Sequence, residues 1–192
     1  EKFIANNNVA LILGDNFFYG QNLTKQLNNS AKLKSGAQVL LHKVNRPELY
    51  GVAKVKKNKV VSIKEKPKKF FSDLAITGLY FFDNKVINYA KKLKPSKRGE
   101  LEITDLLKIY KDKKKLYVDY IGRGGAWLDT GSIEDFYKTT AFVSSIENRQ
   151  GLKIACIEEI ALMNKWITKL EIKKSIHFYG ACEYSEYLKK LI

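Results

Sequence analysis

The chain has 192 residues, 45% hydrophobic and 12% aromatic, with a formal net charge of +15. That length is enough for one or two domains with a real core. No apolar run approaches the roughly 18 residues of a membrane-crossing helix, "EKFIANNN" has no apolar stretch like a signal peptide's, and Cys156 and Cys182 are too few for a disulfide framework or a cysteine-based zinc site.

The first expected element is "VALIL" (9–13), a buried strand that breaks off at Gly14-Asp15-Asn16. A helix follows over "NLTKQLNNSAKL" (22–33) and a strand over "AQVLLHKV" (37–44). "GVAKV" and "KVVSIKE", joined by "KKN", read as a hairpin at 51–65, and "AITGLYFF" (75–82) as a buried strand. Helices are expected at 84–93 and 101–113, a strand at 115–121, a long helix at 132–150 and a last one in "SEYLKKLI". Asp83 or Asn84, Thr104 and Ser132 are the expected N-caps. This order predicts an α/β sheet over residues 1–131 and a helical region over 132–192. The chain reads as soluble and cytoplasmic.

The positive charge has two readings, an anionic partner or a lysine-biased surface. Arginine, the better residue for phosphate and base recognition, occurs only at Arg46, Arg98, Arg123 and Arg149. The lysines are dispersed in "KVKKNK", "KEKPKK", "KKLK" and "KDKKK", without an aromatic platform. The composition favours the lysine-biased surface, and neither a nucleic-acid nor a membrane partner is expected.

Four stretches carry candidate chemistry. Asp15 ends a strand, where open α/β sheets bind ligands, but it also suits an Asx turn. In "GGAWLDTGS" (124–132), Asp129 closes an apolar stretch before a helix and reads either as a cap or as a second carboxylate for a divalent cation. In "SIKEKPK" (62–68), Pro67 fixes the backbone after Glu65 and Lys66, a pair suited to sugar hydroxyls and phosphate or simply to a solvated strand end. In "SKRGELEITD" (96–105), Arg98 precedes Gly99 and a helix start. That arrangement fits either ligand approach or a capped loop.

Together, "LGDNFFYG", "ELYGV", "KEKP", "AITGLYFFDN", "KPSKRGELEITD", "GRGGAWLDTG" and "IENRQGLKIACIEEIAL" resemble the glucose-1-phosphate thymidylyltransferases in order and spacing, across the whole chain. The resemblance implies a Rossmann-like nucleotidyltransferase sheet with a C-terminal helical tail. It implies a reaction joining dTTP to glucose 1-phosphate, with release of pyrophosphate and formation of dTDP-glucose for dTDP-rhamnose and polysaccharide precursors. Asp15 and Asp129 match the family's magnesium ligands. Lys66 and Arg98 match the residues that hold the sugar phosphate, and Glu65 the one that takes glucose hydroxyls. Gly51, Thr77, Gly78, Tyr80 and Trp127 match the lining of the sugar pocket. Tyr19, Gly20, Arg123, Glu159 and Ile160 match parts of a secondary nucleotide site used in feedback control, although Gly125 stands where the family usually has an aromatic; glucose 1-phosphate, dTTP and the dTDP-sugar are the implied small-molecule partners. The family assembles as a tetramer, so a homo-oligomer is implied.

No glycine-rich loop of the family's type "GGxGTRLxPxTxxxxK" precedes Asp15. The resemblance therefore implies an incomplete sheet and little or no transferase activity for this polypeptide alone, whether it is a truncated gene product, an artificial fragment or one part of a split enzyme whose triphosphate-binding N-terminal segment is supplied separately. The alternative is a non-catalytic module that binds sugar phosphate or nucleotide.

Overall fold

The computed structural model describes residues 1–192, which fall into two compact units, Glu1–Ser132 and Ile133–Ile192. No helix is long and apolar enough to cross a membrane.

The first unit is α/β. Its six-stranded sheet contains β1 (Val9–Ile12), β3 (Ala37–Lys43), β4 (Val52–Lys56), β5 (Lys59–Lys64), β6 (Leu74–Phe82) and β7 (Leu116–Tyr120). The order is β5-β4-β6-β3-β7, with β1 also paired to β6. Only β3 and β7 run parallel; the other pairs are antiparallel. A separate ribbon joins β2 (Asn16–Gly20) to β8 (Gly125–Asp129). Helix α1 (Leu23–Ala31) supplies Leu23 and Leu27 to a cluster around Leu40, Leu79 and Phe81. Helices α2 (Val86–Ala90) and α3 (Ile103–Asp112) bury Val86, Leu106, Leu107 and Tyr110 against Val39, Leu41, Tyr80 and Phe82.

The spacing along β3 and β6 explains the two clusters. Successive strand residues point to opposite faces, so the unbroken apolar run "VLL" (39–41) feeds both, Val39 and Leu41 on one side and Leu40 on the other. The pairing of β3 with β6 is irregular. From Val39↔Tyr80 to Leu41↔Ile76, β6 advances four residues while β3 advances two. The extra chain at Thr77–Leu79 is a bulge, which frees backbone groups from the ladder and re-aims side chains.

Several expectations change. "VALIL" forms a strand, but Leu11, Ile12 and Leu13 are exposed, because β1 pairs only with β6 and leaves its outer edge open. Thr104 is not a cap, since α3 begins at Ile103 after Glu102. Neither Asp83 nor Asn84 caps α2, which follows Lys85. Asp83 is a buried junction instead. Its carboxylate accepts from the Gly36 N–H at 2.6 Å, the Tyr110 hydroxyl at 2.8 Å and the Lys85 N–H at 3.1 Å. Burial, together with the bond to Asp83, pushes the Tyr110 phenol far above its ordinary ionisation range.

The second unit is helical: α4 (Ile133–Gln150), α5 (Ile157–Met163), α6 (Lys169–Tyr179) and α7 (Glu183–Lys189). Sequence pattern did not separate α5 and α6. Their core is small, formed by Cys156, Ile172, Tyr187 and Leu188. Thr168 and Glu171 close a capping box on α6, and Gly180, at φ 69°, ends it. Both cysteines are free.

Asp83→Ala should lower the unfolding free energy by roughly 2–4 kcal/mol, because it strands a buried hydroxyl and a backbone N–H. Tyr110→Phe removes one donor and should cost only about 1 kcal/mol. Urea unfolding with an unchanged denaturant slope checks both, and equal losses would contradict the junction role of Asp83.

Candidate active site

A cleft of about 210 Å³ opens in the first unit, lined by Asn16, Tyr50, Gly51, Glu65, Lys66, Gly78, Tyr80, Thr104, Trp127 and Asp129, among others. Its floor is the bulged middle of β6. Its wall is the β2–β8 ribbon, in which Asn16 lies opposite Asp129. Thr130 closes the ribbon end by donating its backbone N–H (2.7 Å) and its hydroxyl (2.9 Å) to the Asp15 carbonyl.

The ribbon brings together two carboxylates 114 positions apart in sequence. Asp129 Oδ1 lies 3.1 Å and Asp15 Oδ2 3.6 Å from the point where a Gly131 Cβ would sit, so the two oxygens are no more than 6.7 Å apart. Asp129 also makes an Asx contact, accepting from the Gly131 N–H at 3.0 Å. No group of three or more His, Cys, Asp or Glu side chains is placed to hold a metal ion. Two carboxylates at a cleft edge match the modest protein share of a magnesium site, whose other ligands are water and substrate phosphate.

Asn16 anchors the cleft. Its Oδ1 accepts from the Gly78 N–H at 3.0 Å and from the Trp127 indole N–H at 2.6 Å, while its amide donates to Asp15 at 2.8 Å. Gly78 is required there, since a Cβ would lie 2.4 Å from Asn16 Oδ1. Tyr50 and Trp127 pack with centroids 5.0 Å apart. Opposite them, Glu65 accepts from the Thr104 hydroxyl at 3.0 Å, and a Gly51 Cβ would lie 2.7 Å from Thr104 and 3.0 Å from Glu65. Lys66 adopts φ 36° just before Pro67, a conformation a non-glycine residue holds at a cost of about 1–3 kcal/mol. Its N–H is tied to the Tyr50 carbonyl at 3.0 Å. Burial, then the negative charges of Glu65 and Asp15, raise the Tyr80 phenol well above its usual range.

Not every anticipated residue reaches the cleft. The Thr77 side chain is fully buried and donates to the Leu40 carbonyl at 3.0 Å, because the bulge turns it inward. Arg98 stands beside the cleft: it pairs with Glu100 at 2.7 Å and approaches Glu65 at 3.8 Å. Tyr19 and Gly20 line a separate cavity of about 180 Å³ with Gly122, Gly124 and Gly125, and Arg123 lies in the same turn. A Gly20 Cβ would lie 3.0 Å from the Gly125 Cα, and a Gly125 Cβ would meet the Ile121 side chain at 2.7 Å and the Tyr19 carbonyl at 3.2 Å, so an aromatic at 125 would require Ile121 to move. In the second unit, Glu159 accepts from the Tyr187 hydroxyl at 2.5 Å and Ile160 is exposed. Asn16, Tyr50 and Thr104 line the cleft without being among the residues the sequence singles out for it. The one available signal is the polar Asn16 beside Asp15; Thr104 reads from sequence as a cap.

The nucleotidyl transferase family model matches residues 1–146, and the chain belongs to that family. It is 46% identical over 193 aligned positions to a glucose-1-phosphate thymidylyltransferase of Neisseria meningitidis serogroup A, covering all of this chain and 67% of that protein. The corresponding protein of Xanthomonas campestris pv. campestris is 43% identical over 98% of the chain and 64% of its own length. A solved Bacillus anthracis structure with bound sucrose, provisionally assigned as a glucose-1-phosphate thymidylyltransferase, superposes with a TM-score of 0.66 at 39% identity, over 73% of this chain and 56% of that one. A UDP-glucose pyrophosphorylase in complex with UDP-glucose, 24% identical, has a TM-score of 0.65 over 76% of this chain and 59% of its own, a likeness of fold alone. The chain thus spans about two thirds of the length of these curated relatives.

Gly78→Ala should displace Asn16, costing roughly 1–3 kcal/mol and shifting the Trp127 indole signal in a heteronuclear NMR spectrum. Gly122→Ala, which meets open space, should leave both unchanged. An unshifted indole in Gly78→Ala would contradict the Asn16 anchor.

Proposed function

We propose that this chain carries the sugar-phosphate side of a nucleotidyl transfer site, which joins dTTP to glucose 1-phosphate with release of pyrophosphate. The observation that carries this reading is the convergence of Asp15 and Asp129 beside a cleft furnished with Glu65, Lys66 and Trp127. The names of the relatives supply the nucleotide and the sugar.

In this reading the sugar phosphate oxygen attacks the α-phosphorus of the triphosphate in line. The new P–O bond forms as the bond to the β-phosphate oxygen breaks, and the electron pair leaves with pyrophosphate. Such a step is catalysed by positioning and charge neutralisation. Lys66, fixed by its strained backbone, offers a point charge to the sugar phosphate. Arg98 offers a two-pronged guanidinium once it trades Glu100 for phosphate. Glu65, already oriented by Thr104, accepts from paired hexose hydroxyls, and the Trp127 ring gives the hexose an apolar wall. Asp15 and Asp129 would hold a magnesium ion, which when bound supplies neutralisation of the phosphoryl oxygens. Tyr19, Gly20 and Arg123 in the first unit and Glu159 and Ile160 in the second are assigned to nucleotide regulation. Thr77 serves the pocket only by shaping the bulge.

Calorimetric titration of the chain with glucose 1-phosphate, in the presence of magnesium, tests the reading. Saturable binding is expected, weakened roughly 10- to 100-fold by Lys66→Ala and by Glu65→Gln. Asp15→Asn and Asp129→Asn should abolish the binding of manganese used as a magnesium probe, with sugar-phosphate binding retained. Absence of saturable binding would sink the proposal. Binding without any pyrophosphate release from dTTP, even in a complex with a triphosphate-binding segment, would favour the non-catalytic module.

A further inference from the structure

Trp127 is held on more than one side. Its indole N–H is anchored on Asn16 and Tyr50 packs at 5.0 Å, while the imidazole of His42, on β3, meets it edge-on with centroids 6.2 Å apart and planes at 80°. Edge-to-face aromatic pairs of this spacing are favourable beyond the area they bury. His42 is not among the residues lining the cleft, so it would reach any ligand only through the indole.

The ring of His42 is unusual in a second way. Its Nδ1 is buried and has no hydrogen-bond partner. A buried polar atom without a partner is a cost that native structures rarely carry without reason. Burial pushes the imidazole pKa down, partly opposed by a hydrogen bond to the Ile121 backbone, so the ring packs as a neutral aromatic. Its contribution at this position is shape: a flat, rigid edge set against the indole.

We infer that His42 is a positioning residue for the sugar wall of the cleft, fixing the plane of Trp127 by edge-on packing. This rests on the reading above, in which Trp127 faces the hexose. His42 itself touches neither the reacting atoms nor the sugar. Its loss would let the indole swing about its anchor on Asn16, and sugar affinity would fall while the phosphate contacts of Lys66 stayed in place.

The test uses the full chain carrying Trp166→Phe. That change removes the only other tryptophan, an exposed side chain in the second unit, and leaves Trp127 as the sole indole. His42→Ala should broaden or shift the Trp127 indole NMR signal and lower its fluorescence anisotropy in the ligand-free protein. It should raise the Kd for glucose 1-phosphate roughly threefold to tenfold, as expected for losing one aromatic pair. His42→Phe, which keeps the flat ring, should restore both. An indole signal and Kd unchanged in His42→Ala would overturn the inference, as would His42→Phe behaving like His42→Ala, since the nitrogen and not the packing would then matter. If the parent chain failed to bind glucose 1-phosphate, the sugar-pocket reading would fall, while the ligand-free indole signal would still decide whether His42 holds Trp127. A thermal melt of each variant separates these outcomes from unfolding.

Discussion

One side chain amide ties the cleft together. Asn16 accepts from the Gly78 backbone and the Trp127 indole, and donates to the Asp15 carboxylate. The bulge in β6, the aromatic wall on β8 and the acidic turn after β1 are therefore one connected object. The arrangement works only because Gly78 has no Cβ and because the bulge frees its N–H from the ladder. Removing the Asn16 oxygen would strand two donors at once, and a stranded partly buried donor costs more than the net value of the bond it lost.

The opposite side of the cleft is organised by charge. Glu65 is oriented by Thr104 and faced at longer range by Arg98, which Glu100 and Glu102 also attract. Arg98 is thus shared among three carboxylates, at distances of 2.7 to 3.8 Å, and is poised to leave the exposed Glu100 for a stronger anion. Lys66 differs: the backbone holds it in a left-handed conformation, so its placement depends on the tie to Tyr50. Backbone strain at a cleft residue is a common mark of function.

Periodicity and composition made the main strands and the long α4 helix legible, because β-branched and apolar runs favour strands and amphipathic spacing favours a helix. The acidic turn and the "EKP" bend were legible as local chemistry. The contents of the cleft were less so. Thr77 lies one residue from Gly78, yet its side chain turns into the core, because a bulge is a property of two strands and leaves no mark in either alone. Tyr50, Thr104 and His42 act through contacts with residues far away in the chain. The edge position of β1 depends on which strands flank it, a question of topology that its own apolar sequence could not answer. The glycine at 125 has a tertiary reason that its own stretch of sequence does not carry, since a Cβ there would meet the Ile121 side chain and the Tyr19 carbonyl.

The two aspartates show what the fold must supply. Closing a loop of over a hundred residues costs roughly 4 kcal/mol in chain entropy. Holding two carboxylates within 6.7 Å adds a repulsion of about 0.6 to 2.5 kcal/mol even at that upper separation, for an effective dielectric between about 80 and 20. Neither cost is offset by the carboxylates themselves. It falls to the core beneath, where Leu40, Leu79 and Phe81 take Phe18 of the ribbon, and to the Asn16 and Thr130 bonds at the ribbon's end. A pair of like charges kept close by packing is a standing preference for a cation. That makes the cleft more than an aromatic-walled hollow, because the same ribbon that presents Trp127 to it sets Asp129 at its edge beside Asp15.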